Sequence, residues 1–194
     1  MTDHAHALET STGLDSRKLA IWTFIGSECM FFGSLIATYL SYEGKSLVGP
    51  TPEEILNIPL TSVSTFVLLM SSLAMVLALD AVQTGDRRMT RLWLGGVIVL
   101  GGLFLAGQVY EFSHFYHEGL TLQQNLFGAT FFVLTGFHGA HVTVGVIWMI
   151  TLLVMSLRGD LGPDRSLDVE VAGLYWHFVD VVWIVIFTVV YLIQ

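Results

Sequence analysis

The sequence predicts an all-α membrane protein, a bundle of five transmembrane helices. Three observations carry that prediction. The chain is 54% hydrophobic but only 12% charged, about half the charge of a typical soluble domain. Its mean hydropathy is +0.69. Its apolar residues fall in five long runs, each long enough at about 20 residues to cross a hydrocarbon layer of ~30 Å.

The runs cover residues 19–41, 60–82, 92–112, 126–157 and 171–193. The fourth exceeds what a bilayer needs, so tilt or protrusion is expected of it. Residues 1–18 are polar and acidic and form a separate cytoplasmic tail. They lack the basic start and short apolar core of a signal peptide. His4 and His6 lie there and read as solvated side chains. Residues 19–194 make one transmembrane domain.

The connections carry turn residues. Gly49-Pro50-Thr51-Pro52 and Pro59 break the first, Gly85-Asp86 opens the second, and Gly159-Asp160-Leu161-Gly162-Pro163 makes the fourth. The third, 113–125, is polar and aromatic. All four prolines are assigned to loops, and no internal repeat is visible. Arg17, Lys18, Arg87, Arg88, Arg91, Arg158 and Arg165 flank the runs on one side, against Lys45 alone on the other. The rule that basic residues stay inside puts the N-terminus in the cytoplasm and the C-terminus on the outer side. Net charge −8 excludes a nucleic-acid partner, which needs a basic face. The lone Cys29 forms no internal disulfide.

Ionisable groups inside a membrane are costly and mark positions of interest. Glu28 lies roughly 13 Å along the first span and Asp180 roughly 14 Å along the fifth, at 1.5 Å per residue. His138 and His141 share a face of the fourth span, continued by Gly145. His177 and Asp180 repeat that three-residue spacing on the fifth. Gln108 and Glu111 close the third. Three chemistries suit such residues: interhelical hydrogen bonding, haem ligation by paired histidines, and a proton path. Gly33/Ala37, Gly102/Ala106 and Gly136/Ala140 are small pairs suited to close helix approach. The aromatic stretches 112–116 and 175–178 suit interfacial belts. Asp80 and Asp86 read as a solvated helix end.

Two longer motifs are more specific. The fourth span reads Thr135-Gly136-Phe137-His138-Gly139-Ala140-His141-Val142, then Gly145. The fifth reads Tyr175-Trp176-His177-Phe178-Val179-Asp180-Val181-Val182-Trp183-Ile184, then Phe187 and Tyr191. Together they resemble subunit III of the haem–copper respiratory oxidases. Gly26-Ser27-Glu28-Cys29-Met30-Phe31-Phe32 and Gly107-Gln108-Val109-Tyr110-Glu111-Phe112 resemble further segments of that family. The likeness runs from about Leu19 onward. The chain looks like the five-helix bacterial form, without the two extra helices that wall a lipid-filled cleft in seven-helix members.

The resemblance implies a subunit without catalytic, cofactor or metal residues of its own, with haem and copper in partner subunits. It implies packing on subunit I, subunit II in the same complex, bound phospholipid and a bacterial cell membrane. It implies support for sustained oxygen reduction coupled to proton pumping. Cytochrome c oxidase is the first reading, because the position of Glu28 can be aspartate in quinol oxidases. A quinol oxidase subunit III and a nitric-oxide-reductase accessory subunit are alternatives. A small proton-coupled transporter and a membrane cytochrome are the alternatives from other classes. Matched depth nominates His177, then His138, as the partner of Glu28.

Overall fold

The computed structural model describes residues 13, 15–45, 56–123 and 125–193. Five helices within them are long and apolar enough to cross a membrane. They are α1 (Ser16–Tyr42), α2 (Ile58–Gln83), α3 (Arg87–His117), α4 (Leu126–Arg158) and α5 (Ser166–Phe187). A 3-10 turn, Pro163–Arg165, leads into α5, and a π turn, Thr188–Leu192, ends it. The positions of His4, His6 and the Gly49–Pro52 turn lie outside the described residues.

The first four helices begin where a side chain meets free amide hydrogens, whereas α5 continues from the 3-10 turn without such a cap. Asp15 accepts from Arg17 N, Asn57 from Leu60 N, Asp86 from Arg88 N and Met89 N, and Asn125 from Gly128 N. The helix start at Ser16 places Arg17 and Lys18 within α1, so the tail boundary at 18 falls inside the helix. Pro59 corrects a second boundary. It sits in the first turn of α2, where the missing N–H costs nothing.

Glycine follows the ends of α1 to α4, at Gly44, Gly85, Gly119 and Gly159. Gly85 and Gly119 adopt φ of 78° and 87°, open to glycine at no steric cost. The Gly85 N–H donates to Val82 O and the Asp86 N–H to Ala81 O, which caps α2 before Asp86 caps α3. The third connection is shorter than 113–125, because α3 continues to His117. Leu120 then folds under with its N–H on Phe115 O, and its side chain is fully buried.

The helices pack α1 on α4 and α5, α2 on α3 and α5, and α4 on α3 and α5. Among them α5 is the most enclosed. Trp176 is its anchor. It is fully buried, and its indole N–H donates to Ser71 Oγ on α2 at 3.0 Å. A methyl group built on Gly101 of α3 would lie 2.8 Å from its ring, and one on Gly145 of α4 2.7 Å. The indole is thus wedged among three helices that only glycine lets this close.

Those glycines correct the expected approach points. A methyl built on Gly33, Gly102 or Gly136 meets nothing within 4 Å. The close contacts fall at Gly101, Gly139 and Gly145 instead. One residue turns a helix face by about 100°, so Gly102 looks away where Gly101 looks in. Residues 175–178 are likewise core rather than belt, with Tyr175, Trp176 and Phe178 all buried.

Candidate functional site: buried polar contacts and a membrane groove

Glu28 stands midway along α1, facing α4. Its Oε2 lies 3.2 Å from Nε2 of His141. His141 Nδ1 is 2.7 Å from the Phe137 carbonyl oxygen. A carbonyl only accepts, so Nδ1 carries a hydrogen. Nε2 is therefore the ring nitrogen that faces the Glu28 carboxyl across 3.2 Å. Phe32 packs edge-on to the imidazole at 4.9 Å, and the Tyr175 hydroxyl donates to His141 O at 2.9 Å.

This pairing corrects the expectation built on depth. His177 turns to α2, with Nδ1 2.6 Å from Ser72 Oγ. His138 turns inward, fully buried against Phe104 and Trp183, its Nε2 3.2 Å from the Val179 carbonyl. Depth was matched, but rotation about the helix axis decides contact. For the same reason His138 and His141, three residues apart, serve different neighbours.

Beside Glu28 a groove of about 920 Å³ separates α1 from α4 and α5. Ile21, Phe24, Val144, Trp148, Leu152 and Val171 make its apolar wall, with Glu28 and His141 bordering it at mid-depth and Arg17 and Asp168 near the helix ends. Arg17 Nη1 meets Asp168 Oδ1 at 2.7 Å, and Lys18 Nζ meets Glu170 Oε1 at 2.7 Å. These ion pairs tie the start of α1 to the start of α5. The neighbouring Asp15 carboxyl is held below the usual range, first by the Arg17 backbone N–H and then by its guanidinium. Its folded value being depressed, this contribution is present at neutral pH and lost as pH falls through that lowered value.

A second seam joins α2 to α5. Besides Trp176–Ser71 and His177–Ser72, the Trp183 indole N–H donates to Thr65 Oγ1 at 2.9 Å. Asp180 sits in this seam at 3% exposure, with no hydrogen bond to either oxygen among the described residues. A third contact joins α3 to α4, where the Gln108 amide donates to Thr135 O at 2.6 Å and packs on Gly139.

The fourth is a staple at the far end. Thr61 of α2 and Tyr191 of the π turn both donate to Glu111 Oε1 of α3, at 2.8 and 3.1 Å. The π turn widens the last coil of α5 and carries Tyr191 to this carboxyl. Glu111→Leu should destabilise the bundle by about 1–3 kcal/mol, since it takes the acceptor from the buried Tyr191 hydroxyl and leaves Thr61 only the Asn57 carbonyl. Glu111→Gln should recover most of that. Thermal unfolding of the detergent-solubilised protein reads both.

Every sequence-nominated polar residue is therefore inside the bundle or along the groove, but these four contacts and the His138–Val179 contact between α4 and α5 form no single centre. Among the described residues no group of three or more His, Cys, Asp or Glu is placed to hold a metal ion. The α2 hydroxyls Thr61, Thr65, Ser71 and Ser72 escaped notice because hydroxyls are ordinary in membrane helices. Thr61, Thr65 and Ser72, at steps of four and seven along one face, were the available signal.

Five apolar helices, with polar side chains spent on interhelical contacts, define a multi-pass helical membrane protein. Comparison with known proteins places it further. The sequence profile of cytochrome c oxidase subunit III matches residues 2–194, and the chain belongs to that family. It is 41% identical to cytochrome c oxidase subunit 3 of Bacillus sp. (strain PS3), over 91% of this chain and 86% of that one. It is 38% identical to a probable quinol oxidase subunit 3 of Staphylococcus saprophyticus, over 91% and 88%. It is also 38% identical to the quinol oxidase subunit 3 of Bacillus spizizenii, over 90% and 85%. Membership in this family implies a place in an oxidoreductase complex beside other oxidase subunits.

Proposed function

We propose that this chain is the non-catalytic third subunit of a bacterial cytochrome c oxidase. In this reading it packs on subunit I, holds lipid, and sustains oxygen reduction to water coupled to proton pumping. The observation that carries the lipid role is the groove between α1 and α4/α5. It is apolar, opens at membrane depth and has the dimensions of an acyl-chain site. Oxygen dissolves better in hydrocarbon than in water, so a groove filled with acyl chains concentrates it beside the complex. The Glu28–His141 contact fixes α1 against α4 at the inner end of the groove.

The basic residues Arg17, Lys18, Arg87, Arg88, Arg91, Arg158 and Arg165 orient the bundle with its N-terminus in the cytoplasm of a bacterial cell membrane. Contacts between Arg17 and Asp168 and between Arg91 and the Ser156 carbonyl gather the described helix ends that bear them. A quinol oxidase subunit III is the second reading, favoured by the quinol oxidase relatives at 38% identity. Glu28, where quinol oxidases can carry aspartate, supports the cytochrome c branch.

The test is purification of the tagged chain in mild detergent, followed by a reduced-minus-oxidised spectrum and mass identification. Co-purification of a haem–copper subunit that consumes oxygen is expected, with cytochrome c rather than quinol as donor. Quinol-driven activity alone would move the assignment to the second reading. A colourless chain recovered alone, under conditions that keep oxidases intact, would overturn both.

A further inference from the structure

We infer that the first half of α1, residues 16–26, is a hinged wall of the groove, bending at Gly26-Ser27 and fastened to α5 by the Arg17–Asp168 and Lys18–Glu170 ion pairs. The inference rests on the reading of the groove as a lipid site and gives that site a means of opening.

The two halves of α1 are held differently. The second half packs through rings. Phe31 lies 5.2 Å from Phe137, Phe32 4.9 Å from His141, and Tyr39 6.3 Å from Phe127. Phe32 and Tyr39 are both buried. The first half flanks the groove instead. It buries Ile21, and Phe24 stacks on Tyr175 at 6.2 Å. Such apolar contacts fasten weakly inside a membrane, because acyl chains cover the same surfaces as well as a helix does. Acyl chains do not replace the two ion pairs at the helix start, each 2.7 Å long.

The halves meet at a weak point. Glycine in a helix interior loosens it, and no close neighbour demands one here: a methyl built on Gly26 meets nothing within 4 Å. Ser27 follows, with its hydroxyl turned back to donate to Phe24 O at 2.7 Å. Such side-chain bonds compete with the helix ladder, and Gly/Ser pairs are a recurrent cause of helix kinks. Glu28 comes next and meets His141, which marks the start of the fixed half.

The fastening is breakable. Its four charged side chains are 30–49% exposed, and exposed ion pairs are weak and screened by salt. Fastened, the wall holds the groove at its present volume. Released, it swings away from α5, and the groove widens for exchange of chains with the bilayer.

The test uses the full chain in nanodiscs of neutral phospholipid, with the exposed Cys29 replaced by serine. Nitroxide labels at Leu19 on α1 and Leu157 on α4, both exposed, read the distance across the groove by pulsed electron resonance. Labels at Leu40 and Leu126, also exposed, read the other end of the same two helices. In low salt the first pair should show one main distance. Asp168→Asn with Glu170→Gln leaves every basic residue in place and should raise the population of a longer distance by about three- to tenfold, the weight of two exposed ion pairs. Molar salt, which shortens the screening length to about 3 Å, should do the same to the chain that keeps both acids. Gly26→Ala, added to the acid-neutralised chain, should remove most of that second population. The Leu40–Leu126 distance should stay single throughout. An unchanged Leu19–Leu157 distance would overturn the fastening. Equal broadening at both ends, or broadening that Gly26→Ala leaves untouched, would overturn the hinge. A spin-labelled phosphatidylcholine in the same nanodiscs reads the groove separately: with no immobilised fraction in any variant the lipid reading falls, while the distances still decide the moving wall.

Discussion

Trp176→Ala should unfold the bundle more readily than any other single truncation in α5, at a cost of about 3–5 kcal/mol. The indole is fully buried, and its removal empties a space lined by α2, α3 and α4. Those walls cannot close in easily, because Gly101 and Gly145 have no side chains to move into the void. The Ser71 hydroxyl also loses the N–H that donates to it, a smaller loss of roughly 0.6 kcal/mol by the average for membrane helices. Trp176→Phe keeps much of the volume and loses the N–H, so it should cost well under half as much. Unfolding of the detergent-solubilised protein, by heat or graded denaturant, separates the two terms.

Gly145→Val should be the most damaging enlargement. Even a methyl carbon at this position would lie 2.7 Å from Trp176 Cε3 and Cζ3 and 3.2 Å from Tyr175 Cε1. Neither ring is the free end of a flexible chain, so α4 and α5 must separate. Overpacking of this kind costs about 1–3 kcal/mol or more. Separation would also strain the Tyr175 hydroxyl contact to His141 O, and through it the Glu28 bridge. The double variant Gly145→Val with Trp176→Ala gives the side chain a void to enter. Its loss should fall below the sum of the two single losses, as expected of neighbours in contact. Additive losses would mean that the two residues do not share a space.

The five spans were legible because length and apolar continuity are one-dimensional properties. Even the overlong fourth run corresponds to a real helix of 33 residues. Contacts are different, because they depend on rotation about each helix axis. Glu28, His138, His141 and His177 were all visible as costly residues. Which histidine faces Glu28 turned on a direction that depth does not encode. The glycines repeat the lesson: the pattern of small residues four apart picks Gly102 with Ala106 and passes over Gly101, yet only Gly101 admits the Trp176 ring. The Glu111 staple needed one further fact. Tyr191 reaches Thr61 and Glu111 through a π turn, which the apolar sequence Thr188-Val189-Val190-Tyr191-Leu192 does not announce.

The groove follows the same logic. It lies along the first half of α1, from Arg17 to Glu28, whereas the second half packs closely through Phe31 on Phe137, Phe32 on Phe178 and Tyr39 on Phe127. If the Glu28–His141 contact supports sustained turnover, as proposed, its loss is felt over time rather than at once. The direct test is the oxygen-consumption trace of the purified oxidase carrying Glu28→Ala in this chain. An initial rate close to that of the unaltered complex and an earlier decay of activity are expected. An initial rate that falls from the first turnover, with an unchanged lifetime, would contradict it.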